Sequence, residues 1–587
     1  MRPSVPRPRD PGTPDRAPAP ATVAEPAEAT AARLAQLVPA PVEARPVPGV
    51  RYLLTADATI RTSADGDARA VGDRLAELLR PATGYPLPVE PTATAPTGEL
   101  ALLLGPATSA GPDAGDGAGA ADGPVPGGEG YRLDVGAGGV RLRARTAAGL
   151  FYGVQTLRQL LPAAIESRTV RPGPWALPGA RVVDRPRFAY RGAMLDVARH
   201  FFPPATVRRF VDHLARYKIN YLHLHLTDDQ GWRIAIDSWP RLAGVGGATE
   251  VDGGPGGHYT KAEYADLVAY AAARHITVVP EIDLPGHTNA ALTAYGELAP
   301  DGVAPPPYTG TDVGFSAVAV HRERTYEFVR DVLGEVAALT PGPYLHIGGD
   351  EAFTLPPAEY AVVMERVQRI AAATGKTVLG WHQIATVDHP GDRVVQYWGT
   401  STSDANVTAA VRQGARVLLS PGNRSYLDMK YGESTPLGKD WAGLVEVRTA
   451  YDWDPGAYLE GVPASAVLGV EAPLWTETVD SLGDIEFMTF PRLPAIAELG
   501  WSPAAALGWD GFRRRLAAHG PRWTVAGIAF HRSRQVPWPD RPTPAPAQAG
   551  SADVPAGSPT RVVGPVVPDA AARGSGPDPD DLPAPLG

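Results

Sequence analysis

The sequence predicts an α/β protein, a (β/α)8 TIM barrel preceded by a small α+β accessory domain. Between residues 186 and 535, eight short apolar runs alternate with segments of helical periodicity, the pattern of a parallel sheet built from β/α units. In nearly every run the apolar half comes first, and acids or tryptophans close it. The C-terminal rim of such a barrel is where active sites form. Length agrees, because 587 residues exceed one ordinary domain and eight units in about 350 residues fit a barrel with insertions. A doubly wound open sheet is the alternative topology, but no Gly-rich fingerprint opens a helix after the first strand.

Residues 1–35 are rich in Pro and Ala, and residues 536–587 in Pro, Gly and Asp. Such composition buries too little apolar surface to offset chain entropy, so both are expected to be disordered tails. Residues 36–185 make the accessory unit. Within it GELALLLG (98–105) and the alternating YRLDV…VRLRA (131–144) read as strands, and TAAGLFYGVQTLRQLLP (146–162) as an amphipathic helix across them. The Gly/Asp/Ala stretch at 106–130 reads as a loop. The unit carries no dense cluster of catalytic residue types and reads as a structural brace.

The expected barrel strands over 186–535 are YRGAMLDVA (190–198), YLHLHLTDD (221–229), ITVVPEID (276–283), YLHIGGDE (344–351), TVLGWHQ (377–383), RVVQYWG (393–399), ARVLLSP (415–421) and AVLGVEAPLWTE (466–477). In KAEYADLVAYAAARH (261–275), Tyr264, Leu267, Val268, Ala271 and Ala272 fall on one helical face. The connection after the seventh strand is long and shows no clear helix.

Composition excludes several function classes. A formal net charge of −10 leaves no basic excess to neutralise phosphates, so no nucleic-acid partner is expected. The chain has no cysteine, which removes disulfides, thiolate catalysis and cysteine-held metals. No apolar run is long enough to span a bilayer, so no membrane partner is expected. The N-terminus has arginines without an apolar segment behind them, hence no readable signal peptide. The default location is the cytoplasm, with secretion open if translation starts elsewhere.

The sharpest chemical element is His346-Ile347-Gly348-Gly349-Asp350-Glu351. Neighbouring side chains on a regular strand point to opposite faces. Two adjacent acids share a site only if the chain turns as the strand ends, and the glycine pair gives that freedom. Carboxyls sharing a site push their pKa values apart, which keeps one protonated near neutral pH. Trp381, Trp398 and Trp475 close three other strands. Flat aromatic faces beside carboxylates suit the C–H surfaces of sugar rings and acyl methyls. On the last strand, period-2 alternation puts Glu471, Pro473, Trp475 and Glu477 on one face.

A second enzyme class uses the same scaffold. His223 and His225, with His287, His346 and Asp350, resemble the scattered ligands of a metal-dependent amidohydrolase, where a divalent ion activates water. Against it, the first strand lacks a histidine pair and no strand-end lysine is available to bridge two ions. The simpler account makes these histidines partners of neighbouring acids in the barrel's polar layers. A third reading is a non-catalytic carbohydrate-binding protein, which would keep the tryptophans and lose the acid.

The motifs RGAMLDVARHFF (191–202), YLHLHLTDDQGWRI (221–234), VVPEIDLPGH (278–287), YLHIGGDEA (344–352), SYLDMKY (425–431) and APLWTET (472–478) occur in order. The chain resembles family 20 glycoside hydrolases, and more closely the bacterial β-N-acetylhexosaminidases. The resemblance implies a retaining exo-enzyme that releases terminal GlcNAc or GalNAc from an oligosaccharide or glycoconjugate through an oxazolinium intermediate, with no metal or other cofactor. It implies Glu351 as general acid/base, Asp350 as the residue orienting the acetamide, and Tyr426 as a hydrogen-bond partner of the acetamide oxygen. Trp381, Trp398 and Trp475 would box in the acetyl methyl. Arg191, Asp428 and Glu477 would hold the sugar hydroxyls, with Asp228, Asp283 and His287 in support.

Overall fold

The structure is a computed structural model that describes residues 27–92, 99–105, 127–136, 138–389 and 391–540. Within it the N-terminal strands β1 (Glu43–Leu54), β2 (Ile60–Thr62), β3 (Val89–Pro91), β4 (Glu99–Leu104), β5 (Tyr131–Gly136), β6 (Gly139–Ala144) and β7 (Trp175–Asp184) form one sheet. Its order is β1-β7-β5-β6-β4-β2-β3. The two runs read as strands are β4 and the β5–β6 pair. The predicted helix spans Ala147–Leu160 and is capped by Thr146, whose side chain accepts from Gly149 N. β1, β7 and the helix Gly66–Thr83 escaped the sequence reading. Among the described residues no helix is long and apolar enough to cross a membrane.

The second sheet closes on itself. β8 (Tyr190–Asp196), β9 (Tyr221–His225), β10 (Thr277–Leu284), β11 (Tyr344–Gly348), β12 (Thr377–Trp381), β13 (Arg393–Tyr397), β14 (Arg416–Leu419) and β15 (Val467–Leu474) form an eight-stranded barrel, parallel at every pairing from β8–β9 round to β15–β8. Seven lie within the runs expected from sequence, and β10 passes its run by one residue, to Leu284. Several end earlier, because the polar residues that close each run have left the ladder for the rim loops.

One side chain from each strand fills the floor of the barrel: Tyr190, Tyr221, Val279, Tyr344, Leu379, Val394, Leu418 and Leu468. Tyr190 and Tyr221 stack there at 4.0 Å. This apolar plug shuts the N-terminal end, so only the opposite rim admits a ligand.

Two tail expectations need correction. Residues 27–34 form a helix with Thr30 and Leu34 buried, and Arg33 donates to Ala176 O at 3.2 Å. At the other end Val536 is buried and Trp538 packs on Trp523 at 5.7 Å. A few apolar residues beside an existing core suffice to order a segment that looks featureless alone. The rest of both tails, and residues 106–126 of the predicted loop, lie outside the described residues.

Candidate active site

The turn expected after β11 is present. Gly348, Gly349 and Glu351 all have positive φ, at 65°, 109° and 45°. A Cβ at position 348 would fall 1.6 Å from Asp283 Oδ1, so glycine is required on steric grounds as well. Gly349 N donates to Asp283 Oδ1 at 3.3 Å, and Tyr360 Oη donates to Gly349 O at 2.6 Å. The turn is therefore held from both sides, and it brings Asp350 and Glu351 to one imidazole: His287 Nε2 lies 3.8 Å from Asp350 Oδ2 and 3.4 Å from Glu351 Oε2.

Behind these acids stands a charged wall. His287 Nδ1 sits 3.2 Å from Asp228 Oδ1, and Arg199 Nη2 2.9 Å from Asp228 Oδ2. Burial acts against ionisation of Asp228, but Arg199 and His287 outweigh it and hold the carboxyl well below its usual range. Burial would neutralise His287, yet Asp228 and Asp350 keep its pKa well above the ordinary value. Asp350 goes the other way. Burial, and then the charges of Glu351 and Glu281, outweigh His287 and raise it to about 6. Asp283, buried beside Asp350, is pushed well above the carboxylate range.

The aromatic wall comes from the last residue of β12 and from the loops after β13, β14 and β15. Trp381 is fully buried, and its ring lies 5.7 Å from Trp475. Tyr426 faces Trp475 at 6.4 Å and Trp441 at 5.8 Å. Trp398 reaches Trp441 at 5.7 Å and donates to Gln383 Oε1 at 3.0 Å. Burial and the nearby charge of Glu477 push Asp428 well above its usual pKa. Arg492 holds the loop of Tyr426 and Asp428 by donating to Leu427 O at 2.5 Å and Met429 O at 2.6 Å.

Two sequence expectations change, and one residue of the wall was not expected. Arg191 is not with the other residues. As the second residue of β8 it points outward at the closed end, where it pairs with Glu129 at 3.0 Å and donates to Lys218 O at 2.9 Å under the ring of Trp501. The arginine at the rim is Arg199, three residues past the end of β8, with its guanidinium 4.7 Å from the Trp475 ring. The rule that rim chemistry follows strand ends selects Arg199 from the same motif. Trp475 and Glu477 lie beyond the last residue of β15, so strand alternation does not set their directions, and Glu471 turns down to His223 at 2.9 Å. Trp441, 53% exposed in a long loop, carries no periodic signal that would have found it.

The two arginines are separable by experiment. Arg199→Met removes the larger of the two cations that hold Asp228 ionised and is expected to lower kcat/KM by about tenfold or more. Arg191→Met strands the carbonyls of Lys218 and Phe188 and is expected to cost stability, about 1–3 kcal/mol, with kcat/KM little changed. Equal kinetic damage from both, measured alongside thermal melts, would undo this assignment.

The histidines do cluster, but as partners of acids. His225 Nδ1 faces Glu281 Oε2 at 2.5 Å and Nε2 faces Asp228 Oδ2 at 2.8 Å. A ring with both nitrogens donating to carboxylates has no lone pair for a metal. His223 bonds Glu471 through Nδ1 at 2.9 Å, and its Nε2 lies 3.0 Å from Glu281.

Comparison with known proteins identifies the family of both domains. The model of the glycosyl hydrolase family 20 catalytic domain matches residues 188–358 and 357–504, and that of the family's domain 2 matches residues 34–185. A β-N-acetylhexosaminidase of Cellulomonas fimi is 42% identical over 513 residues, covering 87% of this chain and 99% of that protein. The solved structure of Streptomyces plicatus N-acetyl-β-hexosaminidase in complex with Thio-NAglucal has a TM-score of 0.81 at 57% identity, covering 86% of this chain and 98% of that one. A mutant of the Streptomyces plicatus enzyme with its product GlcNAc superimposes equally well, at 56% identity. With both its domains matched and close relatives spanning nearly their whole length, the chain is a glycoside hydrolase and belongs to glycosyl hydrolase family 20.

Proposed function

We propose that the chain is a retaining exo-β-N-acetylhexosaminidase, that Glu351 and Asp350 carry the reaction, and that the substrate's own acetamide is the nucleophile. The observation behind this is the turn at 348–351, which sets two carboxyls at the mouth of an aromatic pocket backed by the Asp228–His287 pair. Asp350 Oδ1 and Asp428 Oδ1 are buried with no hydrogen-bond partner among the described residues. Buried acceptors need donors, and an amide N–H and a sugar hydroxyl are the donors such a substrate brings.

The chemistry follows from that placement. Glu351 gives its proton to the glycosidic oxygen as the C1–O bond breaks. The acetamide oxygen, already tethered beside C1, forms the new bond, so most of the entropy cost of bringing it there is met beforehand. Asp350 accepts the acetamide N–H and stabilises the positive charge that spreads over the oxazolinium ring. Trp381, Trp398 and Trp475 wall the acetyl methyl, and Tyr426 bonds the acetamide oxygen. Water then attacks C1 from the face the leaving group vacated, giving its proton to Glu351 and retaining configuration. This family is a known exception to the two-carboxylate scheme of most glycosidases.

Arg199, Asp428 and Glu477 close the far wall around the hydroxyls of the terminal ring, which limits attack to chain ends. N-acetylglucosamine oligomers should therefore be shortened one residue at a time, with monomer as the first product. Early release of mid-chain fragments, seen by chromatography of a short time course, would contradict a closed pocket.

A further inference from the structure

Barrel interiors are ordinarily filled with branched aliphatic side chains. Here the layer above the apolar floor is ionic instead. Glu281, Glu471, His223, His225 and His346 are all fully buried in it. They form an alternating line of acids and imidazoles. Glu471 Oε1 meets His223 Nδ1 at 2.9 Å, and His223 Nε2 lies 3.0 Å from Glu281 Oε2. Glu281 Oε2 meets His225 Nδ1 at 2.5 Å, and His225 Nε2 meets Asp228 Oδ2 at 2.8 Å. From Asp228 the line continues through His287 to Glu351. The other oxygen of Glu281 accepts from Trp381 Nε1 at 2.9 Å, with His346 Nδ1 also 2.9 Å away. The carboxylate of Glu281 thus accepts from Trp381 and His225, with the rings of His223 and His346 packed close beside it.

We propose that Glu281 is a positioning residue of the reaction: one oxygen fixes the indole of Trp381 in the acetamide pocket, and the other sets, through His225, Asp228 and His287, the place and charge of the group facing Glu351. Burying several charges is costly, and a well-packed apolar layer would serve a barrel of the same shape at least as well. What an apolar layer cannot do is hold an imidazolium between two carboxylates or place a negative charge beneath two reacting carboxyls. Trp381 ends β12 and His287 stands on the loop after β10, and Glu281 is the group through which one carboxylate governs both. Its charge also bears on Asp350, in the direction that opposes ionisation.

The charges around Glu281 come from every neighbouring strand: His223 and His225 on β9, His346 on β11, Glu471 across the barrel, and Asp283 on β10 itself. Around Asp350 stand Glu351, His287 and Asp283. Removing the negative charge of Glu281 therefore lets Asp350 ionise at lower pH. The acid limb of kcat/KM, which follows ionisation of Asp350, should move acidward by about half a pH unit in Glu281→Gln, the scale of one charge acting at a distance. A loss in kcat/KM of roughly tenfold to a hundredfold should accompany it, the range seen when outer partners of a reacting group are removed. Trp381→Phe keeps an aromatic ring but removes the N–H bonded to Glu281 together with the second ring of the indole, so the pH limb and not KM is its readout. That leaves the carboxylate less compensated, so the limb should move to higher pH.

The test is kcat/KM against pH with an aryl N-acetyl-β-glucosaminide on wild type, Glu281→Gln and Trp381→Phe. Limbs that stay at the wild-type pH in both variants, with losses confined to melting temperature, would overturn the proposal. Should Glu281→Gln fail to fold, the sign of the Trp381→Phe shift decides alone. The proposal rests on Asp350 and Glu351 being the reacting carboxyls, and Asp350→Asn run alongside keeps the two apart. An acid limb that persists in Asp350→Asn sinks that assignment, whereas unmoved limbs in the other two variants sink only the role of Glu281.

Discussion

Glu351→Gln is expected to slow hydrolysis of a natural N-acetylglucosamine disaccharide by about 10²–10⁴-fold, the usual worth of general acid/base assistance, and to slow a nitrophenyl glycoside far less. A sugar alkoxide is a poor leaving group and needs a proton as the bond breaks, whereas a nitrophenolate leaves without one. The glutamine keeps the size of the side chain, so the acetamide pocket and the His287 contact region remain occupied. His287 Nε2, 3.4 Å from Glu351 Oε2, is the near neighbour that would sense the change. Equal losses on the two substrates would mean that Glu351 does something other than move a proton.

The second large effect tests the nucleophile. Replacing the hydrogens of the substrate's acetyl methyl with fluorine withdraws electrons from the acetamide oxygen. If that oxygen attacks in the rate-limiting step, each added fluorine lowers kcat/KM steeply at constant leaving group. Asp350→Asn should compound the loss by about 10²–10³-fold, as for removal of one preorganised transition-state stabiliser. The amide cannot offer a negative charge to the forming oxazolinium. Burial and the charges of Glu351 and Glu281 raise Asp350 to about 6, so it is ionised for this task only above that pH. A flat response along the fluorinated series, or a sugar trapped covalently on Asp350, would replace substrate assistance with an ordinary carboxylate nucleophile.

Much of this site is legible without coordinates because barrel geometry converts sequence order into position. Apolar runs at β/α spacing give eight parallel strands, and the residue that ends a run lies on the catalytic rim. Asp350, Glu351, Trp381, Trp398 and Trp475 were found by that rule together with the glycine pair before the turn. Arg191 came from the family resemblance and not from this rule, and the rule corrects it. Arg191 opens β8 rather than closing it, so it belongs to the contact with the N-terminal sheet, bonded to Glu129, while Arg199 takes the rim.

The sequence by itself determined the fold class, the eight strands, the two carboxyls at the glycine turn and the family. These rest on local rules: side-chain period, the conformational freedom of glycine, and motif order along the chain. Only the tertiary structure decided which titratable groups face one another. The line from Glu471 through Glu281 and His225 to Asp228 joins residues of different strands. Trp441 enters the site from a loop with no periodic signature. The rise of Asp350 to about 6 follows from burial and from charges brought together by barrel closure. Proton affinities are set by distance and dielectric surroundings, and neither is a property of a residue's place along the chain.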